Sequence, residues 1–318
     1  MTYKTFIIDM FNLAYKKKGK VSNPKVIANN VIDFINEEVK QRLDKGGKIY
    51  LTFDPLPKSD LGMEKNFKYN PDRKEIKRDY KSNRVHDETV LAALRLLRKY
   101  YTYQGPDLIT VISNYLEADD YVEDLIELES EGMIALISTD MDWSRYICDR
   151  VHMINDSFDT PFTKEMFFNE RGYFPTITAI TLEKAIFGDK SDGIEPILTK
   201  KNKVYKDSTD FIKALIKEIS KTNLSIKDVE NVINGSKAVE LLGKTEKSHI
   251  EDIVSIISIS DDALNAFKEN IRVIKSRCDD IKKHIHVHSI NESYNTLMES
   301  TLGRNKNPNK KFHFGNIS

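Results

Sequence analysis

The sequence predicts an α/β protein in which a mostly parallel central sheet is flanked by helices and followed by a smaller, all-helical C-terminal part. Two observations carry that expectation. In the first half, short apolar runs alternate with segments whose apolar residues recur at helical spacing; after Gly188 the strand signal fades while the helical periodicity continues.

Taken in order, the first strand is expected at Thr5 to Ile8 and the second at Lys48 to Phe53. The helix between them is signalled by Asn23 as N-cap, Pro24 at the first helical position, and Ile27, Val31, Phe34, Ile35 and Val39 on one face. From Pro55 to His86 the rhythm breaks: three prolines, many charges and little periodicity over about 30 residues mark a functional loop, lid or insertion. A helix from Asp87 carries Val90, Leu94, Leu97 and Tyr101, and strands are expected at Leu108 to Ile112, Met133 to Ile137 and Val151 to Ile154. Between the first two of these, a helix opens at Glu117 with Val122, Leu125, Ile126 and Leu128 on its apolar face. Short helices separated by Asn, Ser and Gly stops fill 207 to 275. The expected division is a domain over residues 1–190, with the insertion at about 55–86, and a helical domain over 191–318 ending in a basic tail from about 303 to 318.

Composition narrows the function. The 318 residues hold 49 Lys+Arg against 49 Asp+Glu, which argues against a surface that is basic all over. The charge is sorted rather than mixed. From Glu117 to Asp142 there are ten acidic side chains and no Lys or Arg, whereas Arg73 to Arg84 holds six basic and two acidic ones. No apolar run approaches the roughly 20 residues of a membrane span, and MTYKTFIIDM lacks a signal-peptide pattern. Cys148 and Cys278 have no partners at metal spacing. A monomer in a reducing cytoplasm, with no membrane partner, is the expectation.

The acids sit where an open α/β sheet keeps its chemistry, at the carboxyl ends of strands. Asp9 follows the first strand, Asp54 the second, and Asp140 and Asp142 the run Leu136 to Thr139; Glu117, Asp119 and Asp120 open a helix, and Asp189 and Asp192 lie three apart after another. Taken singly, an Asp after a strand is ordinarily a turn or cap residue. Together, in the order a common sheet edge requires, so many carboxylates need a cation to converge, since like charges at close range otherwise stay protonated. With no His or Cys among them, the matching ion is a hard one bound through oxygen, Mg²⁺ or Mn²⁺, and so many acids suit two ions. Paired ions are a standard device for displacement at phosphorus, which points to phosphodiester hydrolysis.

Six motifs in order then resemble one family: Ile8-Asp9, Phe53-Asp54, Tyr80-Lys81-Ser82-Asn83-Arg84, Glu117-Ala118-Asp119-Asp120, Ser138-Thr139-Asp140-Met141-Asp142-Trp143, and Gly188-Asp189-Lys190-Ser191-Asp192-Gly193-Ile194. They are similar to those of the 5'-nucleases, the flap endonucleases and 5'-to-3' exonucleases, in the bacteriophage branch that includes the T-even-phage ribonuclease H type. The resemblance implies a PIN-like 5'-nuclease fold with a helical arch. It implies a first metal site at Asp9, Asp54, Glu117 and Asp119, and a second at Asp140, Asp142, Asp189 and Asp192, with Asp119 or Asp120 near both. It also implies that Lys81 and Arg84 contact the scissile phosphate. The expected substrates are DNA with 5' single-stranded ends or flaps and RNA–DNA hybrids, as in RNA primer removal during phage replication; a single-strand-binding protein or sliding clamp is the kind of protein partner implied.

The arch reading also follows from the residues themselves. Arg73, Lys77, Tyr80, Lys81 and Arg84 fall at i, i+3, i+4 spacing, so one helical face would carry cations and a ring on which a base can stack. Two departures stand out. Met10 and Pro55 follow the first two acids where the family often has Gly, and Ile194 to Lys201 lacks the Gly-x-Gly helix-hairpin-helix of the cellular enzymes, which leaves duplex contact to Lys200 and Lys201. Gly243-Lys244-Thr245 resembles a P-loop end, but Ala238 stands where its first Gly belongs; His284, His286 and His288 have no further ligand at zinc spacing. The competing readings are a PIN-like ribonuclease acting on structured RNA and a catalytically silent protein that binds branched DNA.

Overall fold

The computed structural model describes residues 1–55, 87–101, 107–112, 117–198, 203–236, 242–258, 260–275 and 286–288. The arch residues Arg73, Lys77, Tyr80, Lys81 and Arg84, the pair Lys200 and Lys201, and the basic tail lie outside them.

Five parallel strands form the sheet: β1 (Tyr3–Asp9), β2 (Leu43–Phe53), β3 (Leu108–Ile112), β4 (Ile134–Ile137) and β5 (Val151–Ile154). A short antiparallel strand, β6 (His286–His288), pairs with β3 and gives the order β5-β4-β1-β2-β3-β6. The chain winds outward from β1 through β2 to β3, then returns to the other side of β1 for β4 and β5. Such a reversal opens a crevice at the carboxyl ends of β1 and β4, where ligands of open α/β sheets bind.

The helices follow from this winding. On one face lie α1 (Met10–Lys18), α2 (Pro24–Phe34) and α3 (Glu88–Tyr101), whose Leu13, Val31 and Leu94 are buried with Phe6, Ile8 and Leu51 of the sheet. Asn23 caps α2 through the Lys25 N–H and Pro24 begins it, as the sequence predicts. The other face is covered by a 3₁₀ turn (Ala118–Tyr121) running into α4 (Val122–Leu128), and by a second 3₁₀ turn (Met141–Tyr146) whose Trp143 is fully buried. Leu128, expected on the apolar face of α4, is instead 68% exposed; it ends the helix, beyond the last turn that meets the sheet.

Among the described residues, six further helices follow: α5 (Lys164–Arg171), α6 (Ile177–Phe187), α7 (Lys203–Ile219), α8 (Ile226–Ile233), α9 (Lys244–Ile257) and α10 (Asp261–Lys275). Their buried side chains, among them Phe167, Leu182, Ile212, Ile253 and Phe267, make a separate hydrophobic cluster. Although α5 and α6 precede residue 190, they bury their apolar side chains in this helical cluster rather than against the sheet. No described helix is long and apolar enough to cross a membrane.

Candidate metal centre at the sheet switch point

Register alone brings the first acids together. Ile8 pairs with Leu51 on one side and Ile137 on the other, so Asp9, one residue on, lies beside Thr52 and beside the segment that begins at Ser138. Ser138 joins the two: its hydroxyl donates to Asp9 Oδ2 at 3.0 Å and accepts from the Asp140 N–H at 3.0 Å. Asp9 also caps α1, its Oδ1 accepting from the Asn12 N–H at 3.0 Å, while the Asn12 side chain accepts from the backbone and hydroxyl of Thr139. Asp54 follows Phe53 at the end of β2 and accepts from the Ala118 N–H at 2.7 Å, which ties the second strand to the turn carrying Glu117 and Asp119.

In that turn the carboxylates diverge. Glu117 is the N-cap and forms a capping box with Asp120, whose Oδ2 accepts from the Glu117 N–H at 2.9 Å. The buried Asp120 carboxylate thus orients the backbone of Glu117. The Asp119 side chain meets the Arg145 guanidinium at 3.3 Å, and its carbonyl accepts from the Tyr146 hydroxyl at 3.0 Å.

Asp140 caps the second 3₁₀ turn through the Asp142 N–H at 3.0 Å. Beyond it, Asp142, Asp189 and Asp192 each offer an oxygen within 4.8 Å of the others. Asp189 and Asp192 are brought round by a tight turn in which Asp189 and Ile194 exchange backbone hydrogen bonds of 2.8 Å. Gly188 makes this possible: its φ is +80°, and a Cβ there would lie 2.7 Å from the Ile194 carbonyl oxygen. Buried Asn270 of α10 braces the same turn, its amide donating to the Ala185 and Glu195 carbonyls at 3.0 and 3.1 Å.

Lys184 of α6 enters this triad. Its ammonium is ion-paired with Asp142 and, at 2.7 Å, with Asp189. A small cleft beside it is lined by Asp119, Asp142, Arg145, Lys184, Asp192 and Ile194, and is closed by Val273 and Ile274 of α10.

The electrostatics follow from these contacts. Burial, reinforced by Asp54 and more weakly by Asp140, raises Asp9 to about 8 despite the opposing pull of the Asn12 and Ser138 hydrogen bonds. Asp140 is raised by removal from water, then by Asp142 and Asp119. Burial pushes Asp189 upward too, but the Lys184 ammonium and the Ser191 donors outweigh it and hold the carboxyl at about 2. Lys184 is raised because Asp142 and Asp189 together exceed the burial that would discharge it.

Sequence reasoning found the acids and missed the groups that hold them: Ser138, Asn12, Arg145, Lys184 and Asn270. Only Ser138, which opens the run Ser138-Thr139-Asp140-Met141-Asp142-Trp143, carried a local signal. Near the Asp9 end of the sheet, Lys16 and Lys17 pair with Asp156, and Lys18 with Asp87.

The donor set of Asp142, Asp189 and Asp192 is all carboxylate oxygen, which suits a hard divalent ion. The fold is shared with known nucleases. The bacteriophage T5 D15 flap endonuclease, in a pseudo-enzyme–product complex with DNA and metal ions, aligns with a TM-score of 0.55 at 16% identity, covering 94% of this chain and 98% of that one. T5 5'-exonuclease with bound zinc aligns at 0.51 with 19% identity, over 85% and 98% of the two chains. The T5 D15 protein co-crystallised with metal ions aligns at 0.50 with the same identity and coverage. The α/β fold expected from the motifs is therefore the fold observed. No protein-family model and no curated protein matches the chain.

Proposed function

We propose that this chain, on the fold it shares with the phage 5'-nuclease structures, is a divalent-metal-dependent 5'-nuclease that hydrolyses phosphodiester bonds at 5' ends and flaps of DNA and in RNA–DNA hybrids. One observation carries the reading: Asp142, in the turn after β4, converges with Asp189 and Asp192 from the loop after α6, while Asp9 and Asp54 at the ends of β1 and β2 stand close enough to raise each other's charge cost.

Asp9, Asp54, Glu117 and Asp119 would hold one Mg²⁺ or Mn²⁺, and Asp140, Asp142, Asp189 and Asp192 a second; Asp120 stands behind Glu117 as its cap. When bound, such ions act as Lewis acids on phosphate oxygens and lower the pKa of water. The chain's own contribution is placement. Ser138 and the Asn12 N–H hold Asp9, the Ala118 N–H holds Asp54, and the Gly188–Ile194 turn sets Asp189 and Asp192. Lys81 and Arg84 would neutralise the scissile phosphate, with Arg73, Lys77 and Tyr80 tracking a single strand, and Lys200 and Lys201 meeting duplex. In this reading residues 1–190 form the catalytic domain and 191–318 the duplex-binding domain, and the protein acts as a cytoplasmic monomer in primer removal and flap trimming.

The test is a 5'-labelled flap, a nicked duplex and an RNA–DNA hybrid, each incubated with Mg²⁺ and with EDTA. Cleavage that needs the ion and starts from the 5' end supports the reading. Cutting in EDTA, or consumption of 3' ends only, refutes it. Binding of the flap without any cleavage would instead favour the silent branched-DNA-binding alternative.

A further inference from the structure

Lys184 is not one of the predicted ligands, yet its ammonium lies between two of them. It is ion-paired with Asp142 and stands 2.7 Å from Asp189, with only 15% of its side chain exposed. Asp142, Asp189 and Asp192 meanwhile lie close enough for one ion to touch all three. An ammonium reaches carboxylate oxygens at about 2.8 Å, whereas Mg²⁺ or Mn²⁺ needs them near 2.1 Å. The ammonium fills the space between Asp142 and Asp189 that an ion bound to both would need, and repulsion between the two cations is strong where water is excluded.

We infer that Lys184 is the resident counter-ion of the second cation site: it holds Asp142 and Asp189 together in the metal-free protein and must swing away for a divalent ion to enter. The inference rests on the proposed metal site and adds a competition built into it. The geometry makes the exchange feasible. Lys184 lies in the last turn of α6 on a flexible four-carbon stem, and the cleft lined by Asp119, Arg145 and Ile194 adjoins its ammonium. The turn that carries Asp189 and Asp192 is braced independently by Gly188 and Asn270, so these two acids keep their places when the lysine leaves. In effect the site trades one positive charge for two, so the second ion binds more weakly than its carboxylate count suggests.

The experiment measures Mn²⁺ binding to DNA-free protein by electron paramagnetic resonance and calorimetry. Wild type, Lys184→Met, Lys184→Arg and Asp189→Asn are compared, with thermal unfolding of each in EDTA. Lys184→Met is expected to tighten the weaker Mn²⁺ site by about tenfold or more, since a competing unit charge has been removed. It should also lower the melting temperature in EDTA. Lys184→Arg, which keeps the charge, should stay near wild type in affinity. If Lys184→Met binds Mn²⁺ no better than wild type while Asp189→Asn still loses one ion, the counter-ion role is wrong and the metal site stands. If neither wild type nor Lys184→Met binds Mn²⁺ at millimolar concentration, both fall. Should Lys184→Met fail to fold, Lys184→Gln provides the same comparison.

Discussion

The two halves of the acidic site solve the same problem in opposite ways. Around Asp9 the carboxylates are held by backbone amides and a hydroxyl, and among the described residues no lysine or arginine is ion-paired with Asp9, so burial and Asp54 lift it to about 8. Around Asp189 the chain supplies its own cation, and Lys184 draws the carboxyl down to about 2. Two aspartates of one acidic site are thus driven in opposite directions, Asp9 up and Asp189 down. Asp9 is favoured in its protonated form, whereas Asp189 keeps its charge and is neutralised by Lys184.

The largest test of this contrast is catalytic. Both Asp9→Asn and Asp189→Asn should lower single-turnover flap cleavage with Mg²⁺ by at least about 100-fold, because each removes a proposed ligand. Equal loss in both would show that the halves differ only in how they wait for metal; retained cleavage in either would remove that acid from the site.

Stability in EDTA should separate the two substitutions. Asn replaces a carboxyl that is already mostly protonated at neutral pH in one case and an ion-paired carboxylate in the other. Asp9→Asn is therefore expected to raise the melting temperature at pH 7, and Asp189→Asn to lower it. Each shift corresponds to about 1 to 2 kcal/mol, the second reduced by partial solvent screening. Calorimetry showing the same sign for both would break the comparison.

The pH profile sharpens it further. For Asp9 the folded-state value of about 8 lies above the ordinary 3.8, so its contribution is fully present below 3.8 and is lost as pH rises through 8. For Asp189 the folded-state value of about 2 lies below 3.8, so its contribution is present above 3.8 and is lost as pH falls through 2. Metal-free protein should accordingly lose several degrees of melting temperature between pH 5 and 8, and Asp9→Asn should flatten that slope while leaving acid unfolding unchanged. Saturating Mg²⁺ should flatten it as well. A slope that survives in Asp9→Asn would assign it elsewhere.

The most local effect expected is at Asn270. Its amide bridges two carbonyls behind the Asp189 turn, and Asn270→Ala leaves both without that donor, at a cost of about 1 to 3 kcal/mol in urea unfolding. Mn²⁺ binding should weaken at the second site alone. Weakening at both sites would mean that the halves are mechanically one.

Much of this was legible in the chain. An apolar run followed by Asp places a carboxylate at a strand end whatever surrounds it, which is why Asp9, Asp54 and Asp140 could be read directly. Asn23-Pro24 starts a helix by local rules, and it does so here. Lys184 was not legible, because a lysine in the last turn of a helix ordinarily answers the helix dipole, and nothing local says that it reaches Asp142, 42 residues away. Asp120 reads like its neighbours, yet its carboxylate turns back to cap Glu117. The attachment of α5 and α6 to the helical cluster was equally hidden, since an apolar helical face does not say which core it will meet.

Sequence by itself determined the strand and helix order, the location of the acids at strand ends and turns, and the choice of oxygen over nitrogen or sulphur as donor, because these depend on short-range backbone geometry and side-chain chemistry. Only the tertiary structure decided which acids hold a proton, which are neutralised by Lys184 or Arg145, and which merely cap a turn. Those outcomes depend on burial and on partners distant in sequence, and both come into being only when β1, β4 and α6 meet.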